Sequence, residues 1–324
     1  MLTAGQIHAQ INAYISGLFL IHAPEGLYAP IDYVLSMGGK RIRSVLMLMA
    51  YNLYKEDVSE ALAPAAGIEI FHNYTLLHDD LMDKADMRRG KKTVHKEWNE
   101  NTAILSGDAM LILAYQYIAK ASPAHLKEML DLFGMTALEV CEGQQYDIDF
   151  EQQNNVTEQD YLKMIRLKTA VLLAASLKMG AIQGGASQQD ADLLYESGIH
   201  IGQAFQLKDD FLDVYGDPAV FGKNTGGDIL CNKKTYLMIK ALELSDDTQK
   251  AELDRWMQMT TFNPEDKISA VVHIYNEAGV KTCCENKIRE YYGNAMRCLE
   301  KISVEKEKKN ELTDMIHDLM YRRN

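Results

Sequence analysis

Two short acidic clusters stand out in this 324-residue chain, Asp79-Asp80-Leu81-Met82-Asp83 and Asp209-Asp210-Phe211-Leu212-Asp213. Each sets carboxylates at i, i+1 and i+4, and on an α-helix i and i+4 lie one turn apart on one face. Carboxylates so placed repel one another unless a cation sits among them. Hard divalent ions with oxygen ligands suit the arrangement, Mg²⁺ above all, which is held by a few carboxylates together with substrate phosphates. The pattern predicts two helices facing one another across a metal–diphosphate site.

Cations gather beside both clusters. Gly38-Gly39-Lys40-Arg41-Ile42-Arg43 is a glycine turn followed by basic residues at a helix start, where free N–H groups and the helix dipole favour an anion. Arg43 can add a bidentate fork and Lys40 a point charge. Arg88 and Arg89 follow the first pentad, Lys223, Lys233 and Lys234 follow the second, and Lys168 precedes Thr169 on a separate segment. A metal-bridged diphosphate and a second, metal-free diphosphate account for both sets. His78 and His95 are lesser candidates for phosphate contact.

The elements that must position these residues read as helices almost throughout. Apolar periodicity predicts them over about 3–20, 27–37, 41–54, 57–84, 100–120, 122–149, 157–183, 188–216, 233–244, 246–259, 264–276, 277–302 and 304–322. The segments carrying the pentads are apolar on several sides, as helices buried in a bundle are. Two stretches break the pattern, about 84–95 and 216–234. Both follow a pentad and are rich in glycine and cations, as phosphate-holding loops are.

Six prolines and no Pro/Gly/Ser-rich linker favour one domain over residues 1–324. A net charge of −12 argues against a nucleic-acid partner bound through a basic surface, without excluding an anionic small molecule. Five cysteines, with no CxxC spacing, fit a reducing cytoplasmic setting. No apolar run is long enough for membrane insertion.

Taken in order, GGKRIR, HDDLMDKADMRRG, CEGQQYD, RLKTA, GQAFQLKDDFLD and GKNTGGDILCNKKT resemble the trans-isoprenyl diphosphate synthases of the polyprenyl synthetase family. One acidic pentad alone is a weak signal, whereas six segments in order are specific. The resemblance implies an all-α bundle of about a dozen helices around a central cavity. It implies a homodimer that condenses isopentenyl diphosphate with an allylic diphosphate. Asp79, Asp80 and Asp83 would bind two Mg²⁺ on the allylic diphosphate. Asp209 and Asp210 would hold a third, with Asp213 nearby. Lys40, Arg43, His72 and Arg89 would bind isopentenyl diphosphate. Arg88, Lys168, Lys223 and Lys233 would neutralise the allylic diphosphate, with Lys234 as the competitor to Lys233. Gln144, Thr169 and Gln206 would line the allylic group or support the metal, and Asp228 matches the acidic residue of the second loop. The chemistry implied is ionisation of the allylic C–O bond, attack by the double bond of isopentenyl diphosphate, and proton loss to the released pyrophosphate, all in a dry site. Ser44 departs from the proline common after GGKRxR, and no loss of function is expected from it.

Product length would be set about one turn before Asp79, at Tyr74 and Thr75, with Phe71 further back. Tyr74 is bulky, which points to fifteen or twenty carbons, and Phe71 favours fifteen, farnesyl diphosphate over geranylgeranyl diphosphate. The alternatives are a terpene cyclase, which needs no second diphosphate pocket, and a noncatalytic subunit of a heteromeric synthase, which would have lost a pentad.

Overall fold

The computed structural model describes residues 1–18, 23–153, 155–216 and 225–321, and these are overwhelmingly helical. In chain order the helices are α1 (Ala4–Ser16), α2 (Glu25–Ser36), α3 (Ile42–Asn52), α4 (Leu62–Met82), α5 (Val94–Glu97), α6 (Glu100–Ile118), α7 (Leu126–Gln152), α8 (Glu158–Ile165), α9 (Val171–Gly184), α10 (Gln188–Tyr215), α11 (Gly227–Leu230), α12 (Tyr236–Leu244), α13 (Asp247–Gln258), α14 (Pro264–Glu277), α15 (Val280–Lys301) and α16 (Lys306–Tyr321). The chain divides into two compact units. The first comprises Met1–Met135, Ala175–Tyr195 and Ile302–Leu312, and the second Thr136–Ala174, Glu196–Lys301 and Thr313–Asn324.

In the first unit α4 is the central helix and packs along α6, with α1, α2 and α3 against it. Its N-terminal two-thirds is buried on nearly every side (Ala65, Ala66, Ile68, Ile70, Phe71), and Pro64 is tolerated because it lies in the first turn. Towards its C-terminus the burial narrows to one face, which leaves His72, Tyr74, Thr75 and Asp79 partly exposed. Phe71 meets Phe133 edge-on at 5.1 Å between ring centres, and Phe133 meets Tyr115 at 4.7 Å. Such pairs contribute about 0.5–1.5 kcal/mol each beyond their buried area.

The second unit has its own core, which includes Tyr161, Ile165, Leu207, Phe211, Tyr236, Val271, Tyr275 and Cys284. The helix expected over 157–183 is not continuous. Arg166–Ala170 forms one π-helical turn between α8 and α9. A π-turn inserts an extra residue and re-aims the side chains around it, and such turns cluster at functional sites. This one carries Lys168 and Thr169. The stretch expected to be an irregular loop after the first pentad contains a two-stranded hairpin, Met87–Arg88 with Lys91–Lys92. Arg89 (φ 51°) and Gly90 (φ 75°) form its turn, and positive φ at both central residues matches the right-handed twist of the strands. The described part of the second loop contains the short helix α11.

Candidate active site

In the first unit the last turn of α4 presents the first pentad. Asp80 is 5% exposed, and Arg88 Nε donates to both its oxygens at 2.7 and 2.8 Å. Arg88 Nη2 lies 3.6 Å from Asp79 Oδ2. Burial raises the Asp80 carboxyl above the usual carboxylate range, and Arg88 opposes that rise. Asp83 is exposed at the helix end. The hairpin thus folds Arg88 back onto the pentad, and Tyr33 anchors it by donating its hydroxyl to Lys92 O at 2.9 Å.

The neighbouring residue of the hairpin, Arg89, donates to Gly38 O. A Cβ on Gly39 would lie 2.9 Å from Arg89 Cζ, and Gly39 has φ 130°, so both space and backbone require glycine there. Arg43 Nη1 lies 3.0 Å from His72 Nε2. Burial, then Arg43, Arg89 and Arg88, hold the His72 imidazole well below its ordinary pKa, so it is neutral and accepts from Arg43 through Nε2. Lys40 stands exposed at the turn. The four residues expected to take isopentenyl diphosphate therefore sit on two touching pairs: Arg43 with His72, and Arg89 with the Gly38–Gly39 turn that carries Lys40.

Behind this turn lies a network the motif did not reveal. Arg41 has φ 47° and a buried guanidinium, which donates to Glu69 Oε1 at 3.0 Å, Leu35 O at 2.6 Å and Asn12 Oδ1 at 3.3 Å. Ser44 Oγ donates to Ala65 O at 2.9 Å and Glu69 Oε2 at 3.1 Å, and Asn73 Nδ2 donates to Glu69 Oε1 at 3.1 Å. The serine in the customary proline position thus helps satisfy a buried carboxylate. Glu69, a charge inside the apolar run of α4, was the sequence signal that such a network exists.

In the second unit Lys168, Thr169, Gln206, Asp210 and Lys233 line one cavity, together with Asp147 and Tyr161. Thr169 Oγ1 donates to Gln206 Oε1 at 3.0 Å, and Gln206 Nε2 donates to Asp210 Oδ1 at 2.9 Å. Tyr161 donates its hydroxyl to Asp210 Oδ2. Asp210 is 5% exposed, and burial raises its carboxyl despite both donors. Lys168 Nζ lies 2.6 Å and Lys233 Nζ 3.9 Å from Asp147 Oδ2. Burial pushes the Asp147 carboxyl up, but the two lysines together outweigh it and hold it low. Lys234 instead reaches Glu151 O at 3.4 Å. Asp213 accepts from Asp228 N at 3.0 Å through Oδ2 and caps α11. Burial, reinforced by Asp210, pushes the Asp228 carboxyl up to about 7. Gln144 is partly exposed on α7 and Asp209 partly exposed on α10, while Lys223 lies outside the described residues.

Asp147 and Tyr161 were missed from sequence. Asp147 ends the CEGQQYD segment, three residues after Gln144, and Tyr161 stands seven residues, two turns, before Lys168, so both were within reach of a face argument. The donor set in each unit fits a hard divalent cation: carboxylate oxygens whose burial disfavours an uncompensated charge. Among the described residues no three acidic, His or Cys side chains converge closely enough to hold an ion alone.

Comparison with known proteins agrees with this chemistry. The family described as Polyprenyl synthetase matches residues 24–275. The chain is 40% identical over 237 residues to the geranylgeranyl diphosphate synthase of Methanosarcina mazei, covering 72% of this chain and 73% of that one. It is 36% identical over 274 residues to the geranylfarnesyl diphosphate synthase of Natronomonas pharaonis, covering 76% and 80%. A crystal structure of a geranylgeranyl pyrophosphate synthase superposes with a TM-score of 0.95 at 42% identity, covering 100% of both chains. The chain belongs to the metal-dependent polyprenyl synthetase family, with its all-α fold. It is an isoprenyl diphosphate synthase, a trans-prenyltransferase. No helix among the described residues is long and apolar enough to cross a membrane.

Proposed function

We propose that this chain condenses isopentenyl diphosphate with an allylic diphosphate and releases geranylgeranyl diphosphate as its main product. The observation that carries the reading is that Arg88 pairs with the first acidic pentad and Lys168 and Lys233 line the cavity of Asp210 in the second, while a further set, Arg43 with His72 and Arg89 with the glycine turn that carries Lys40, stands beside them. A cyclase has no use for that further set. Asp79, Asp80 and Asp83 would hold two Mg²⁺, and Asp209 and Asp210, with Asp213 nearby, would hold a third. When bound, Mg²⁺ supplies positive charge to the departing pyrophosphate. Arg88, Lys168, Lys223 and Lys233 neutralise the allylic diphosphate, and Lys168 and Lys233 leave Asp147 to do so. Thr169 and Gln206 orient Asp210, and neutral His72 orients Arg43.

Twenty carbons is preferred to fifteen for two reasons. Similar chains carry geranylgeranyl and geranylfarnesyl synthase names. Phe71, the basis of the shorter expectation, is fully buried against Phe133, which leaves Tyr74 as the member of the pair with accessible surface. Leu105 and Ile112 lie two turns apart on α6 and are each 60% exposed; this apolar stripe supports a homodimer. The experiment is incubation with Mg²⁺, isopentenyl diphosphate and, separately, dimethylallyl, geranyl and farnesyl diphosphates, followed by product chain-length analysis. A twenty-carbon diphosphate supports the reading. Cyclic hydrocarbons or no turnover would reject it.

A further inference from the structure

Lysine 267 sits in the apolar stripe of α14, in register with Val271, Ile274 and Tyr275, and is 1% exposed. A lysine is almost never buried to this degree unless its ammonium has work to do there. Its Nζ donates to Asn232 Oδ1 at 2.7 Å and Leu230 O at 3.3 Å, and lies 4.3 Å from the centre of the Phe262 ring. Both hydrogen-bond acceptors are uncharged, so this is not the usual buried ion pair. Leu230 O is the last carbonyl of α11, where a cation meets the negative end of the helix.

What the ammonium holds is the segment that carries Asp228 and Lys233. Asn232 has φ 55°, a left-handed conformation that its side chain stabilises by donating to Met257 O at 3.0 Å while accepting from Lys267. That reversal brings Lys233 N to Asp228 O at 2.9 Å and sends the Lys233 side chain towards Asp147. The other end of the segment is fixed by the same helix. Gly226, φ 89°, lies against Ile268, where a Cβ would come within 2.7 Å of Cδ1. Asp213 closes the start of α11 through the Gly226 and Asp228 amides.

We propose that Lys267 is a positioning residue for the prenyl transfer: it locks residues 226–233 in the shape that presents Asp228 and Lys233 to the metal-bound allylic diphosphate. The inference rests on the reading of those two residues given above. Lys267 touches no substrate. It acts through Asn232.

The test compares Lys267→Met, which keeps the stem and removes the donors, with Asn232→Gly, which keeps the backbone angle accessible and removes the acceptor. Amide hydrogen exchange of residues 227–235 is followed without substrate, and KM is measured separately for the allylic and isopentenyl diphosphates. Lys267→Met, which removes both hydrogen bonds of the charged donor, is expected to accelerate exchange in that segment and raise the allylic KM by about tenfold or more. The isopentenyl KM and exchange in α4 stay within about twofold. Asn232→Gly moves the same readouts in the same direction. Unchanged exchange in 227–235 would overturn the anchoring, and faster exchange with an unchanged allylic KM would reduce Lys267 to a structural role. Should Lys267→Met not fold, Asn232→Gly decides alone. Because exchange needs no substrate, a wild-type protein inert towards prenyl diphosphates would sink the substrate assignment and leave the anchoring to be judged by exchange.

Discussion

The two acidic pentads share one spacing, yet the two units treat them differently. In the first unit a guanidinium lies directly on the buried carboxylate: Arg88 bonds both oxygens of Asp80. In the second unit Asp210 is met by neutral donors, Tyr161 and Gln206, and the nearby lysines rest on Asp147 instead. Asp228 is left with a carboxyl that holds its proton to about 7. Arg88 thus offsets part of the burial that raises the Asp80 carboxyl, whereas in the second unit the rise to about 7 falls on Asp228, outside the pentad. The difference teaches that two pentads of one spacing can meet their burial by different means, an arginine in the first unit and neutral donors in the second.

The largest expected effect tests whether both pentads are needed at all. Asp80→Ala and Asp210→Ala should each lower kcat by about 10²–10³ or more, since each removes charge placed for the transition state. Steady-state turnover checks this, and a variant that retains near-wild-type kcat would make its pentad dispensable. Next comes the buried pair behind the glycine turn. Glu69→Ala leaves the Arg41 guanidinium uncompensated and should cost about 3–5 kcal/mol of stability, measured by chemical denaturation. If the network also shapes the turn, the isopentenyl KM rises while the allylic KM stays put.

The pH dependence sharpens the contrast. Asp228 has a folded-state pKa raised above its unfolded value, so its stabilising contribution is present at low pH, is lost progressively as pH rises from about 4 through about 7, and changes no further above that. His72 has a depressed folded-state pKa, so stability falls as pH drops below about 6.5, where the unfolded chain takes up the proton. In metal-free protein the two dependences oppose each other below about pH 6.5, and neither changes stability further above about 7. The Mg²⁺-induced rise in Tm should be larger at pH 8 than at pH 6, by roughly 3 °C or more. Asp228→Asn should remove the loss between about pH 4 and 7 and leave the His72 dependence in place, and an unchanged profile would remove Asp228 from the account. The smallest effect belongs to Ser44→Pro. Position three of α3 tolerates proline, so only the hydroxyl contacts to Glu69 and Ala65 are lost, for about 1 kcal/mol, with kcat unchanged.

Much of this was legible in the chain. Helix periodicity gave most helices to within a few residues, because burial on one face repeats locally. The ordered motifs named Lys168, Thr169, Gln206, Asp210 and Lys233, which line one cavity. The π-turn at Arg166–Ala170 was not legible, since an inserted residue leaves composition and periodicity almost untouched over five positions. The hairpin at Met87–Lys92 is not legible either, because its strands are two residues long, too short to show alternation.

What the sequence alone determined is the inventory of chemistry: two acidic pentads, their neighbouring cations, and helices to carry them. These follow from residue type and local spacing. What only the tertiary structure decided is which partner balances each charge. Arg88 turns back onto Asp80, Glu69 takes Arg41, Asp147 takes Lys168 and Lys233, and Lys267 reaches the loop beside Lys233. Most of these partners are far apart in sequence, and no local period encodes them. They are selected because a buried charge must find a partner within hydrogen-bond or ion-pair reach, and only the packed helices bring that partner there.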